Sequence, residues 1–267
     1  MTKKEEEFVE LVWGHYKSYA REMPWRNPEE DGSFDPYKIL VSEFMLQQTQ
    51  VERVLPKFTA FIARFPTLEG LAEAELSDVI ELWVGLGYNR RAKYLHDAAK
   101  QLVNVDFPKS VGELISLKGI GENTAAAVLT YSFNTYHPFV ETNIRTAYIH
   151  NFFPNERSVM DKQILELLDT TATKDNPREF FWALMDYGTH LKKSGVRNNA
   201  KSKHYTKQSK FEGSQRQLRG RILKKAQKNR SIENIHEEFK DERLDGVLDS
   251  MQSEGLIKLQ DGRIHIA

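Results

Sequence analysis

The chain has 267 residues, 40% of them hydrophobic and 28% charged, with 38 basic and 38 acidic side chains for a formal net charge of zero and no cysteine. That balance is ordinary for a water-soluble globular protein, and the missing thiols exclude disulfides, thiolate zinc sites and a thiolate-held iron–sulfur cluster. No apolar run approaches the length of a membrane span and the first residues lack a signal-peptide apolar region, so the expectation is a cytoplasmic protein without membrane contact. The length allows one large domain or two moderate ones.

In chain order, Phe8, Leu11, Val12, Tyr16 and Tyr19 have helical spacing over residues 5 to 20, and Met23-Pro24 ends that helix. Trp25-Arg26 opens a loop through Asp35-Pro36, and a second helix starts near Tyr37 and carries Leu40, Val41, Phe44, Met45 and Leu46. Helical patterns follow over 51–64, 68–74, 76–82 and 90–103, interrupted by Gly85-Leu86-Gly87-Tyr88. Leu114, Ile115 and Leu117 precede a sharp turn at Lys118-Gly119-Ile120-Gly121, where two closely spaced glycines permit φ > 0 and close backbone approach. Thr124 to Phe133 is Ala-rich and suits a buried helix, and further helices are expected near 143–153, 158–172 and 177–191. No alternating strand pattern occurs before residue 255, so this part is expected to be all-α.

Between Lys192 and Arg230 there are about fourteen Lys or Arg and a single acid, Glu212. Residues 194–213 read as a basic linker that a solvated face or a phosphate-tracking surface would equally explain. The end reads as a small separate unit. Helices over 215–227, 232–239 and 244–251 are followed by apolar segments flanking Asp261-Gly262, a hairpin turn signal. Three helices and a hairpin resemble a winged helix, but Glu242, Asp245, Asp249 and Glu254 near the third helix argue against major-groove reading. The domains expected are therefore 1–193, a linker 194–213 and 214–267.

The turn at Lys118 to Gly121 opens a helix, where outward N–H groups suit a phosphate, and a carboxylate, Glu141, follows about twenty residues later. This stretch resembles the helix-hairpin-helix, Gly/Pro-rich loop and acidic residue of the DNA glycosylase superfamily. Three more segments strengthen the resemblance and narrow it to MutY-like adenine DNA glycosylases: Ser42-Glu43-Phe44-Met45-Leu46-Gln47-Gln48-Thr49-Gln50-Val51, Trp83 to Tyr88 with Arg90 to Leu95, and Pro24-Trp25-Arg26. It runs from about residue 8 to 192.

The resemblance implies a mainly α, two-lobed helix-hairpin-helix core with the winged-helix-like unit appended. It also implies double-stranded DNA with a mismatched or damaged base as partner. A base inside a duplex must be flipped out to be reached. Gln48, Leu86 and Tyr88 are the wedge candidates; Leu86 and Tyr88 also suit a core, but their Gly-bounded turn favours exposure. Gln47, Thr49, Gly87, Lys118, Gly119, Gly121, Asn123 and Thr124 join them as DNA-binding candidates. Cleaving an N-glycosidic bond needs a proton for the leaving base and stabilisation of a cationic sugar, work that two carboxylates divide. Glu43, flanked by Val41, Phe44 and Met45, takes the acid role, and burial there is expected to raise its pKa. Glu141, with Asn143, falls where the family has its catalytic aspartate and asparagine.

The extra methylene of Glu141 moves its carboxylate by about 1.5 Å, and three explanations stand: a displaced backbone, a different substrate, or lost activity. Asn123 stands where bifunctional relatives have a Schiff-base lysine, so hydrolysis without strand scission is expected. Trp25, Arg26, Leu46 and Asp186 are base-pocket candidates, Asp186 being equally suited to pairing with a basic neighbour. No metal site and no iron–sulfur cluster are expected, a monovalent cation at the hairpin being the one ion left open. The expected function is a monomeric, monofunctional enzyme removing adenine opposite 8-oxoguanine or guanine. A thymine or uracil mismatch glycosylase and a catalytically silent lesion binder are the alternatives. No protein partner is assigned to the C-terminal unit.

Overall fold

The computed structural model describes every residue except Thr206, Lys207, Ser209 and Asn229. Among the described residues the helices are α1 (Lys3–Tyr19), α2 (Pro36–Leu46), α3 (Val51–Arg64), α4 (Leu68–Ala72), α5 (Leu76–Trp83), α6 (Arg90–Leu102), α7 (Val111–Ile115), α8 (Glu122–Phe133), α9 (Thr142–Phe152), α10 (Asp161–Thr171), α11 (Pro177–Lys193), α12 (Gln215–Ala226), α13 (Ile232–Glu238) and α14 (Leu244–Ser253). Two strands, β1 (Ile257–Gln260) and β2 (Arg263–Ile266), end the chain. The helices expected from periodicity are present with their ends within a few residues. The fold is mainly α.

The chain forms two units: Met1–Ile39, Lys109–Ile115 and Ile120–Lys207 make the first, and Leu40–Pro108, Ser116–Gly119 and Gln208–Ala267 the second. These units cut across the sequence boundaries at 193 and 213. Contiguous chain is a poor guide here because the segments that pack together are far apart in sequence.

In the first unit α1 starts with a capping box: the Thr2 hydroxyl accepts from the Glu5 amide at 3.3 Å and the Glu5 carboxylate accepts from the Thr2 amide at 2.6 Å. Its buried face places Phe8 with ring centroids 4.9 Å from Tyr148 and 5.0 Å from Phe152, on α9. Full burial of such a side chain contributes about 1.5–3 kcal/mol. α8 has no polar face: Ala125, Ala126, Ala127, Val128 and Leu129 are all buried, as its Ala-rich sequence suggested. α9 and α11 pack closely because Gly188 permits it. A Cβ at that position would stand 2.1 Å from the Asn143 carbonyl oxygen.

The stretch after α11 differs from a free linker. Lys201 donates to the Pro154 carbonyl at 2.7 Å, Asn198 to the Thr146 carbonyl at 3.0 Å, and Val159 pairs with Ser202 in a parallel bridge. Its polar side chains satisfy backbone carbonyls, which composition alone does not reveal. Thr206, Lys207 and Ser209, part of the same expected linker, lie outside the described residues.

In the second unit α6 buries Ala92, Leu95, Ala99 and Leu102 against α4 and α5. The last three helices and the hairpin have a winged-helix order. Asp261 and Gly262 have φ of 52° and 68°, the pair of left-handed residues that a two-residue hairpin turn requires, and Gln260 faces Arg263 across it. This module is docked onto the same unit's helices: β2 packs against α5, and Glu254 pairs with Arg219 and, at 3.5 Å, with Arg90. The acid at the end of α14 therefore has a structural partner inside the protein.

Candidate active site

The end of α2 is buried in the second unit. Ser42, Phe44 and Met45 are fully buried and Glu43 is 9% exposed. Leu46, Gln47 and Thr49 are half-buried and Gln48 is exposed. Helix geometry breaks at Gln48, whose φ is +54°, and again at Tyr88, with φ of +48°. Left-handed backbone in a non-glycine residue costs of order 1 kcal/mol and persists only where surroundings impose it.

Arg91 imposes it. This guanidinium, only 6% exposed, donates to the carbonyls of Phe44 at 2.6 Å, Met45 at 3.0 Å and Gly87 at 3.0 Å, and to the Thr49 hydroxyl at 3.0 Å. One buried fork thus ties the helix end that carries Glu43 to the Gly85–Tyr88 turn. Burial lowers the Arg91 pKa to about 10, which still leaves it cationic at neutral pH. Arg91 does not stand out in the sequence as its neighbour Arg90 does, because a buried arginine without a carboxylate partner has no sequence signature.

The expected exposure of Leu86 does not hold: it is 3% exposed. The turn folds back onto the helices, so its apolar residue joins the core and Gln48 and Tyr88 remain as wedge candidates. Tyr88 is half-buried, and its hydroxyl accepts from Gln208 at 2.6 Å and Arg216 at 2.8 Å. Gln47 donates to the Gly119 carbonyl at 3.3 Å. Gly119 has φ of +90° and a Cβ there would meet the Tyr94 ring at 2.6 Å, so only glycine fits. Lys118 is exposed, its ammonium 5.4 Å above the Tyr94 ring.

In the first unit Gly121 is the exposed N-cap of α8, followed by exposed Asn123 and half-buried Thr124. The Asn123 amide donates to the Val140 carbonyl at 3.1 Å, and Arg145, paired with Asp161 at 2.7 Å, donates to the same carbonyl at 3.2 Å. The backbone just before Glu141 is therefore held from two helices. Glu141 caps α9. Burial raises its pKa, against the attraction of Arg145 and Lys192. Lys192 shows the mirror effect: burial lowers its pKa although Glu141 pulls it up. The Asn143 side-chain oxygen is buried without a hydrogen-bond partner, an acceptor open to a water or substrate donor.

A folded-state pKa raised above the unfolded value means that the folded protein holds a proton the unfolded chain has lost. Stability from this group is complete below the ordinary glutamate pKa and declines as pH rises through the raised value. Glu141→Gln is therefore expected to raise the thermal midpoint near neutral pH, with the gain vanishing as pH falls toward 4.5, the ordinary value. Paired melting curves from pH 4 to 8 test this; a loss of stability at neutral pH would show that the attraction of Arg145 and Lys192 outweighs burial.

Of the base-pocket candidates, Arg26 and Asp186 are engaged with each other. Arg26 donates to both Asp186 oxygens at 2.9 Å, and Arg21 donates through its side chain at 2.6 Å and its amide at 2.9 Å. Burial works against the Asp186 charge, but Arg26 and Arg21 overcome it and hold the carboxyl below its ordinary value. Pairing with basic neighbours, one of the two readings open from sequence, is the one observed. Trp25 is buried at 5% exposure.

Residues 41–170 match the family model described as HhH-GPD superfamily base excision DNA repair protein. The chain is 39% identical over 190 residues to an adenine DNA glycosylase of Mycolicibacterium smegmatis, covering 67% of this chain and 61% of the relative. It is 34% identical over 186 residues to an adenine DNA glycosylase of Buchnera aphidicola subsp. Baizongia pistaciae, covering 68% and 52%. It thus spans between half and two thirds of these relatives' lengths. Among solved structures, a thermostable thymine-DNA glycosylase aligns with TM-score 0.59 and 25% identity over 70% of this chain and 86% of that one. A trapped endonuclease III–DNA covalent intermediate aligns with TM-score 0.57 and 15% identity over 71% and 88%, which shows the shared fold. The helical core, the glycine turn at residues 118–121 and these matches agree: residues 41–170 belong to the HhH-GPD superfamily of base excision DNA repair proteins, and the chain around them is similar to adenine DNA glycosylases.

Proposed function

We propose that this protein is a monofunctional DNA glycosylase that flips adenine out of a mispair with 8-oxoguanine or guanine and hydrolyses its glycosidic bond. The observation that carries the reading is the buried Glu43 on a helix end fixed by Arg91, within the region most similar to adenine DNA glycosylases. In this reading Glu43 donates a proton to the base, the bond from base to C1′ breaks with its electron pair leaving on adenine, and water adds at C1′, its proton passing to solvent. By the resemblance, Glu141 stands where the family's aspartate stabilises the cationic sugar, and Asn143 where its asparagine helps guide the water. Asn123 offers no amine for a Schiff base and holds the Val140 carbonyl instead.

Relatives of this type hold an iron–sulfur cluster on cysteine thiolates, a group the residues here do not fit. The chain has no cysteine, and the stretch after α11 is held by hydrogen bonds to backbone carbonyls. We infer that the enzyme works as a monomer without the cluster. A second reading, removal of thymine or uracil opposite guanine, draws support from the alignment with the thermostable thymine-DNA glycosylase.

Glu43→Gln tests the catalytic assignment. Excision under single-turnover conditions is expected to fall by about 10²–10⁴-fold, the usual worth of a general acid, with duplex affinity kept. Unchanged excision would remove Glu43 from the mechanism.

A further inference from the structure

A cleft of about 570 Å³ lies within the second unit, between the Gly85–Tyr88 turn and α12 of the C-terminal module. Gln48 and Tyr88, both with left-handed backbone, line one side. Arg53 lines it from α3, donating to the Gly85 carbonyl, and Arg216, Arg221 and Lys224 line it from successive turns of α12. Among the described residues the lining contains no Asp or Glu. Arg53, Arg221 and Lys224 are exposed, and Lys57, beside the cleft on α3, is close enough to Lys224 for the two charges to repel. A cleft lined by one sign of charge focuses its field and raises the local concentration of the opposite charge.

We propose that α12 is a DNA-contacting element and that this cleft takes the phosphodiester backbone of the duplex beside the wedge turn. The inference rests on the glycosylase reading for its ligand and goes beyond it in giving the C-terminal module a task. The hairpin and α14 then serve to hold α12 in place, through the Glu254 pairs with Arg219 and Arg90, and α14 does not enter a groove. The guanidinium of Arg216, 5.0 Å above the Tyr88 ring and bonded to its hydroxyl, couples the module to the wedge residue. A phosphate contact of this kind positions DNA and carries no sequence information.

The test is the salt dependence of duplex binding, measured with a 20-base-pair mismatched duplex from 50 to 300 mM KCl, for the parent protein, Arg221→Gln/Lys224→Gln, and Lys240→Gln/Lys258→Gln. The last pair removes the same charge from exposed positions of the module outside the cleft. Each phosphate contact removed lowers the slope of log K against log[salt] by about one. The cleft variant is expected to lose about two from the slope and to weaken alike on matched and mismatched duplexes, while the control keeps the parent slope. Thermal melts of both variants check that the module remains folded. Equal slopes in parent and cleft variant would overturn the inference and leave the glycosylase reading standing. A parent protein that binds no duplex at any salt would overturn both. Should the cleft variant unfold, Lys224→Gln alone decides, with a loss of about one from the slope supporting the proposal and no loss contradicting it.

Discussion

Arg91→Met is expected to destabilise the protein by at least about 3 kcal/mol, because hydrogen bonds to a charged donor contribute about 1.5–3 kcal/mol each and their partners stay buried. The carbonyls of Phe44, Met45, Gly87 and Tyr88 and the Thr49 hydroxyl lose their shared donor at once. The same change frees the end of α2, which carries Glu43, from the wedge turn. A shift of about 1 Å in a reacting group lowers rate by about 100-fold, so single-turnover excision at a temperature where the variant is folded should fall by at least that factor. Arg91→Lys keeps the charge and loses the planar fork, and it should fall between the two. A denaturant titration and a rate measurement on the three proteins check the order. Equal excision by Arg91→Met and the parent would mean that the helix end holds its own conformation.

Gly188→Ala is the second large effect expected. Its new methyl group would stand 2.1 Å from the Asn143 carbonyl oxygen and 2.6 Å from the carbonyl carbon. Those atoms belong to the first turn of α9 and cannot swing aside as a side-chain tip does. Overpacking of this kind costs about 1–3 kcal/mol, with backbone contact placing it at the upper end. α9 must move, and Glu141 and Asn143 move with it, so excision should fall by about 100-fold. Gly112→Ala supplies a control, since nothing stands within 4 Å of its Cβ position. A Gly188→Ala protein with parental stability and rate would contradict the close approach of α9 and α11.

These two residues mark where the sequence is informative and where it is not. Helix positions follow from apolar spacing, and the hairpin at Asp261-Gly262 from its turn chemistry, because both are local. Glu43, Glu141 and Asn143 stand out through motifs whose spacing survives in one dimension. Arg91 reads as a helix arginine beside another, and its burial depends on carbonyls about 45 positions away. Gly188 reads as a weak point in a helix until α9 is laid against it. Leu86 departs from expectation because a glycine-bounded turn is usually exposed, and here the turn folds inward around the Arg91 fork. The pull of Lys192 on Glu141 joins residues some fifty apart. Lysines in a basic stretch read alike from sequence whether they face solvent or a buried carboxylate.

The core is expected to excise adenine with a glutamate where the family has an aspartate. Single-turnover assays on labelled duplexes holding A:8-oxoG, A:G, T:G or U:G, each read with and without alkali, test it most directly. Product is expected from the two adenine duplexes alone, and strand breaks only after alkali. Product from T:G or U:G in place of adenine would contradict the substrate, and breaks without alkali would contradict the role of Asn123. Silence on all four duplexes would contradict the account at its centre.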